Sequence, residues 1–242
     1  MRAPLSSRPV RTRAPSGPAT GHLLAAGACA LLAAALLLLL ALDWAPLLTL
    51  DHTVGDALHR SAVDNPGWTR LNRTLTDWPW DPWAMRLLLL LAAALLARRG
   101  DRTTAMWVLF VLLTGSAAQQ GMKAAVGRER PRWPDPVDSA HYAAFPSGHA
   151  MTAAFACVVL VWLLRRAGAG AWWRAAMALA VVSVLGVGFT RVYLGVHWVS
   201  DVLGGWLLGV VVASGSIAGY ERWQRAASRK PLNEPEPPGN DR

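Results

Sequence analysis

The chain has 242 residues and a formal charge of +9, yet only 16% of them are charged and 53% are hydrophobic. Its Lys and Arg cluster at the ends of long apolar runs, which argues against a nucleic-acid partner and for the topology signals of a membrane protein. The lipid bilayer is the expected environment.

Residues 1–20 are rich in Arg, Pro, Ser and Gly and read as a disordered basic tail. The run 22–42, HLLAAGACALLAAALLLLLAL, meets the need for about 20 apolar residues in a spanning helix. It is too long for a cleaved leader, so a retained signal anchor is expected.

The interval 43–83 is polar and reads as an outer loop. Within it Leu47, Leu50, Val54 and Leu58 recur at helical spacing, predicting a short amphipathic helix on the membrane surface. NPGW and DWPWDPW then mark turns and an interface. Further spans are predicted at 84–97, 104–122, 149–164, 171–189 and 197–219, which makes six. The stretch 84–97 is short, and Arg86 must snorkel outward to extend it. Residues 224–242 read as a second disordered tail, leaving 21–223 as one membrane domain. Cys29 and Cys157 lie within apolar runs and read as small buried hydrophobes. The expected fold is all-α, a polytopic six-helix membrane bundle with its active site at one membrane face.

The outer ends of spans three to six carry the chemistry. In a hairpin arrangement Lys123, Arg130, Arg191, His149, His197 and Asp201 share one face. Ionisable residues at membrane depth are costly and mark function. Three cations around one point imply a phosphoryl ligand, which arginine grips with a planar fork and lysine with a compact charge. The start of span four, PSGH at 146–149, adds a helix N-terminus. There Ser147 can cap the helix or bond a phosphate oxygen, and Gly148 admits close backbone approach. His197 and Asp201 stand four positions apart, one helical turn, so the carboxylate can orient the ring. Each element alone has a bland reading, as a helix-face pair or a solvated loop.

Taken in order, Lys123–Pro131, Pro146–His149 and Arg191–Asp201 form the pattern K-x6-RP, PSGH and R-x5-H-x3-D. This resembles the signature of the type 2 phosphatidic acid phosphatase superfamily. The motifs cover about the middle third of the chain, with Thr190 where the family usually has serine. The similar APSGPATGH at 14–22 has no partner motifs and is coincidence.

The resemblance implies a lipid phosphatase without cofactor or metal. In it His197 is the nucleophile, Asp201 its orienter and His149 the acid and base. Lys123, Arg130, Arg191, Ser147 and Gly148 hold the phosphate. A phosphotransferase, a vanadium haloperoxidase and a transporter with a vestigial site are the competing classes. Expected substrates are undecaprenyl diphosphate first, then phosphatidic acid or phosphatidylglycerol phosphate. With the N-terminus inside, nine of the 24 Lys and Arg fall outside: Arg60, Arg70, Arg73, Arg86, Lys123, Arg128, Arg130, Arg132 and Arg191. Setting aside Lys123, Arg130 and Arg191 as phosphate ligands leaves six outside against fifteen inside, so the site is expected on the extracytoplasmic face of the inner membrane.

Overall fold

A computed structural model describes residues 19–228. It has eight α-helices and no strand among the described residues. They are α1 (Ala19–Ala41), α2 (Ala45–Asp64), α3 (Pro66–Asp77), α4 (Pro82–Arg98), α5 (Arg102–Val126), α6 (Gly148–Arg166), α7 (Trp172–Tyr193) and α8 (Val199–Ala227). The outer parts of the two expected tails lie outside the described residues. Helix α1 already includes Ala19 and Thr20, and α8 runs to Ala227, past the expected boundary at 223.

Among the described residues, six stretches are long and apolar enough to cross a membrane: α1, Pro66–Arg98, α5, α6, α7 and α8. Helix α4 alone has 17 residues, short of the roughly 20 a span requires. Its crossing stretch begins in α3. The Arg86 guanidinium lies 5.1 Å from the centroid of the exposed Trp83 ring. Helix starts follow local chemistry. Asp81 accepts from the Trp83 N–H at 2.7 Å and Asp101 from the Thr104 N–H at 3.0 Å, each an N-cap. Helix α5 ends at Gly127, whose φ of 60° is the left-handed conformation glycine supplies without a Cβ penalty.

Helices α1 and α6 both pack along α8. The α6–α8 approach depends on absent side chains. A Cβ on Gly209 would stand 2.6 Å from the Met151 carbonyl oxygen, and one on Gly205 would stand 2.8 Å from that of Ser147. Small residues bring membrane helices close in this way, because packing rather than hydrophobicity drives their association. Leu89, Val108, Val111, Phe155 and Ile217 fill the main core among α4, α5, α6 and α8. Leu31, Leu113, Leu179 and Val182 face outward, as a bilayer permits.

The interval 43–83 departs from the single surface helix expected there. It forms two helices, and the buried stripe of α2 is Leu47, Asp51, Gly55, His59 and Ala62. Leu50, counted toward the apolar face, is 47% exposed. A stripe holding Asp51 and His59 is invisible to a search for apolar periodicity. Asp51 is buried against Ser200 and Arg128, and the His59 ring stacks on Trp133 at 4.3 Å.

Candidate active site

One end of the bundle gathers the last turn of α5, the 127–147 segment, the first turn of α6, the last turn of α7 and the start of α8. Backbone hydrogen bonds fix these parts. Ser147 N–H donates to the Asp201 carbonyl at 3.0 Å, and His197 N–H to the Arg191 carbonyl at 3.2 Å. The first bond ties the start of α6 to the start of α8, and the second closes the turn between α7 and α8.

Lys123 and Arg130 converge on the loop before α6, and both donate to the Ala143 carbonyl. Arg130 also donates to the carbonyls of Tyr142 at 2.9 Å, His141 at 3.0 Å and Val196 at 2.6 Å. Its Nη1 stands 3.1 Å from His197 Nε2. Guanidinium offers donors only, so Nε2 accepts and the ring proton belongs on Nδ1. His197 is 2% exposed. Burial, then Arg130, Arg191 and Lys123, hold its imidazole well below the ordinary histidine value, so the ring is neutral.

Asp201 lies beneath that ring. Its Oδ2 is 3.5 Å from His197 Nδ1, just beyond hydrogen-bond geometry, and accepts from the Trp198 N–H at 2.9 Å. Oδ1 accepts from Arg128 Nη1 at 2.6 Å. Arg191, 4% exposed, donates through Nη1 to Thr76 at 3.3 Å and lies 3.9 Å from Asp138. Its Nε has no partner, and neither has the Oγ of fully buried Ser147. Buried polar groups are almost always paired, so these two atoms at the same end of the bundle have hydrogen-bonding capacity to spare for a polar ligand.

His149 Nε2 stands 4.0 Å from Asp81 Oδ2, at the start of α4. His149 also lies in the electrostatic range of Arg191, His197, Arg130 and Lys123. A Cβ on Gly148 would come within 2.8 Å of Gln119 Nε2, the end of a flexible side chain that has to shift to admit it. All eight predicted residues thus meet at this end.

Sequence reasoning missed the residues around them. Arg128 reads in the sequence only as an outer cation, and Asp51, Thr76, Asp81 and Asp138 belong to none of the motifs. Asp81 did carry a signal, an Asp-Pro pair opening an apolar run, which marks an N-cap. Cavity size would not have located the site. A cavity of about 1010 Å³ lies at the opposite end, lined by Trp162, Arg165, Arg166, Val181 and Trp206 among others, away from these groups.

Comparison with known proteins bears on this geometry. The PAP2 superfamily model matches residues 104–225, half of the chain. Over 107 residues the chain is 35% identical to phosphatidylglycerophosphatase B of Bacillus subtilis, covering 43% of this chain and 52% of that protein. Over 76 residues it is 37% identical to the undecaprenyl-diphosphatase of Sulfolobus acidocaldarius, covering 31% of each. The chain thus spans about half of the first relative and under a third of the second. The crystal structure of a transmembrane PAP2 type phosphatidylglycerolphosphate phosphatase from Bacillus subtilis superposes with a TM-score of 0.71. It shares 24% identity and covers 81% of this chain and 96% of its own. That likeness speaks to the fold.

Proposed function

The chain belongs to the PAP2 superfamily, and from that premise we propose that it is a multi-pass membrane phosphatase that hydrolyses a lipid phosphate or diphosphate through a phosphohistidine on His197. The observation that carries this reading is the set of buried, unpaired polar atoms, Arg191 Nε and Ser147 Oγ, at the end of the bundle that holds the unprotonated Nε2 of His197.

The reaction has two balanced halves. Nε2 of His197 attacks phosphorus in line, the P–O bond to the leaving group breaks, and His149 gives that oxygen its proton. The Nδ1 proton of His197 turns toward Asp201 as the ring gains charge. Then His149 takes a proton from water, whose oxygen attacks phosphorus and breaks the P–N bond. Phosphate leaves, and His197 returns to its neutral form. Lys123, Arg130 and Arg191, with Ser147 and the Gly148 N–H, stabilise the equatorial oxygens throughout. Cations fill the role that a divalent ion fills elsewhere, so no metal is required.

Undecaprenyl diphosphate, a polyprenyl diphosphate of envelope synthesis, is the substrate we place first. The positive-inside distribution favours an outward-facing site, and one relative bears the name undecaprenyl-diphosphatase. The name of the other relative favours phosphatidylglycerophosphate as a second reading. Phosphate release from undecaprenyl diphosphate, phosphatidylglycerol phosphate and phosphatidic acid, with EDTA present, is the test. Fastest release from the polyprenyl diphosphate is expected. Preference for a glycerolipid would move the assignment to the second reading. Activity that needs added magnesium would overturn the metal-free mechanism, and label passing to an added alcohol in place of water would mark a phosphotransferase.

A further inference from the structure

Asp51 comes from α2, far from every motif in sequence, yet it is 1% exposed and points at the start of α8. Its Oδ1 accepts from the Ser200 N–H at 2.9 Å. Its Oδ2 accepts from the Ser200 hydroxyl and from Arg128 Nη2 at 2.8 Å. The other arm of Arg128, Nη1, donates to Asp201 Oδ1 and to Ser200 Oγ, each at 2.6 Å. One guanidinium therefore bridges two buried carboxylates, one in α2 and one in α8.

Neither residue is free to bind phosphate. Both oxygens of Asp51 are taken, and both terminal nitrogens of Arg128 are occupied by carboxylates. What the bridge fixes is Asp201. Arg128 holds Oδ1 and the Trp198 N–H holds Oδ2, so the carboxylate cannot rotate away from His197 Nδ1. A buried ion pair is weak evidence for stability, since an apolar replacement often serves as well. A planar two-armed donor, in contrast, is suited to setting geometry.

We propose that Asp51 and Arg128 are positioning residues, which hold Asp201 and through it aim the ring of His197 for in-line attack. The proposal rests on the phosphohistidine reading above, and it gives the 43–83 interval a part in the reaction.

The test uses the full-length protein in detergent with dioctanoyl phosphatidic acid as the probe. Wild type is compared with Arg128→Lys, Arg128→Ala and the double variant Asp51→Asn/Arg128→Gln. The double variant leaves the net charge of Asp51, Arg128 and Asp201 unchanged, which protects folding. In it kcat should fall about 100-fold, the usual result of a small misplacement. KM should stay within roughly three-fold, because ground-state binding is untouched. Formation of the phosphoprotein in a single turnover should slow by the same factor as kcat. Added guanidinium should restore part of the activity of Arg128→Ala and none of a His197→Gln control. If Arg128→Ala does not fold, Arg128→Lys decides, since it keeps the charge without the two-armed bridge and should still lose kcat.

Wild-type kcat in a folded double variant, or in Arg128→Lys, would overturn the proposal. So would a raised KM at constant kcat, which would make Arg128 a substrate ligand. A wild type that turns over with no phosphoprotein at all would overturn the phosphohistidine reading first, and the positioning role with it.

Discussion

Arg130 Nη1 donates to His197 Nε2 at 3.1 Å while the Nδ1 of the same ring faces Asp201 Oδ2 at 3.5 Å. One cation and one carboxylate thus bracket the imidazole, and the Arg130 donor selects its tautomer. The nitrogen left with a lone pair is the one beside Arg130. A bound phosphate would take over Arg130 and free Nε2 for attack.

The neutral state of His197 has a consequence for stability. Its folded value is lowered from 6.5 by burial, while the unfolded chain protonates it normally. The stability linked to this group is complete above the unfolded value of 6.5 and is lost as pH falls from there toward the lower folded value, because in that window only the unfolded state takes up the proton. Thermal unfolding of wild type and His197→Gln between pH 8 and pH 5, taken as round limits on either side of the usual histidine range, checks this. The wild type should lose more stability on the acid side. Parallel curves would mean that His197 is protonated in the folded protein.

His149 divides the two halves of the reaction. In His149→Ala, a lipid phosphate lacks its proton donor, and turnover should fall about 1,000-fold, within the range for general acid–base catalysis. With p-nitrophenyl phosphate the leaving group needs no proton. A burst of nitrophenolate should survive, followed by accumulation of phosphoprotein, because water activation is still missing. Equal loss of the burst with both substrates would remove His149 from the acid role.

Much of this was legible in the sequence, and the reason is physical. The spans were readable from length and hydropathy, because the bilayer imposes both. The eight candidate residues could be named because they sit beside helix ends in short ordered motifs, and the structure gathers them at one end of the bundle. Asp51 was not. It lies on a polar stripe whose partner, Arg128, is 77 positions away, and apolar periodicity has no term for a buried carboxylate. Likewise α3 was hidden by its own polarity, since Thr69, Asn72 and Thr76 are its buried residues.

Gly209 tests the packing beneath the site. A methyl group there meets the Met151 carbonyl and Ala154 Cβ at 2.6 and 2.7 Å, with backbone on one side and little room to yield. Gly209→Ala should destabilise the protein by about 1–3 kcal/mol, the usual cost of overpacking. Thermal unfolding in detergent, alongside kcat below the transition, reads this out. An unchanged midpoint would show that α6 and α8 separate easily.

The orientation of the site follows from charge. Arg98, Arg99, Arg102, Arg165, Arg166, Arg174, Arg222 and Arg225 all lie at or near the ends of helices away from the site. That end should face the cytoplasm. Single cysteines replacing the exposed Ser139 and Gly168, in a background lacking Cys29 and Cys157, give the readout. A membrane-impermeant thiol reagent on intact cells should label position 139 and spare 168. The reverse would place the site in the cytoplasm and remove the case for an envelope substrate.

The most direct test of the central claim is to trap the intermediate. Wild type is mixed with lipid phosphate labelled on its terminal phosphoryl group, quenched in alkali, digested and mapped. An acid-labile, alkali-stable label is expected on the peptide that contains His197, absent from His197→Gln. Label on any other residue, or steady turnover with no labelled protein, would contradict it.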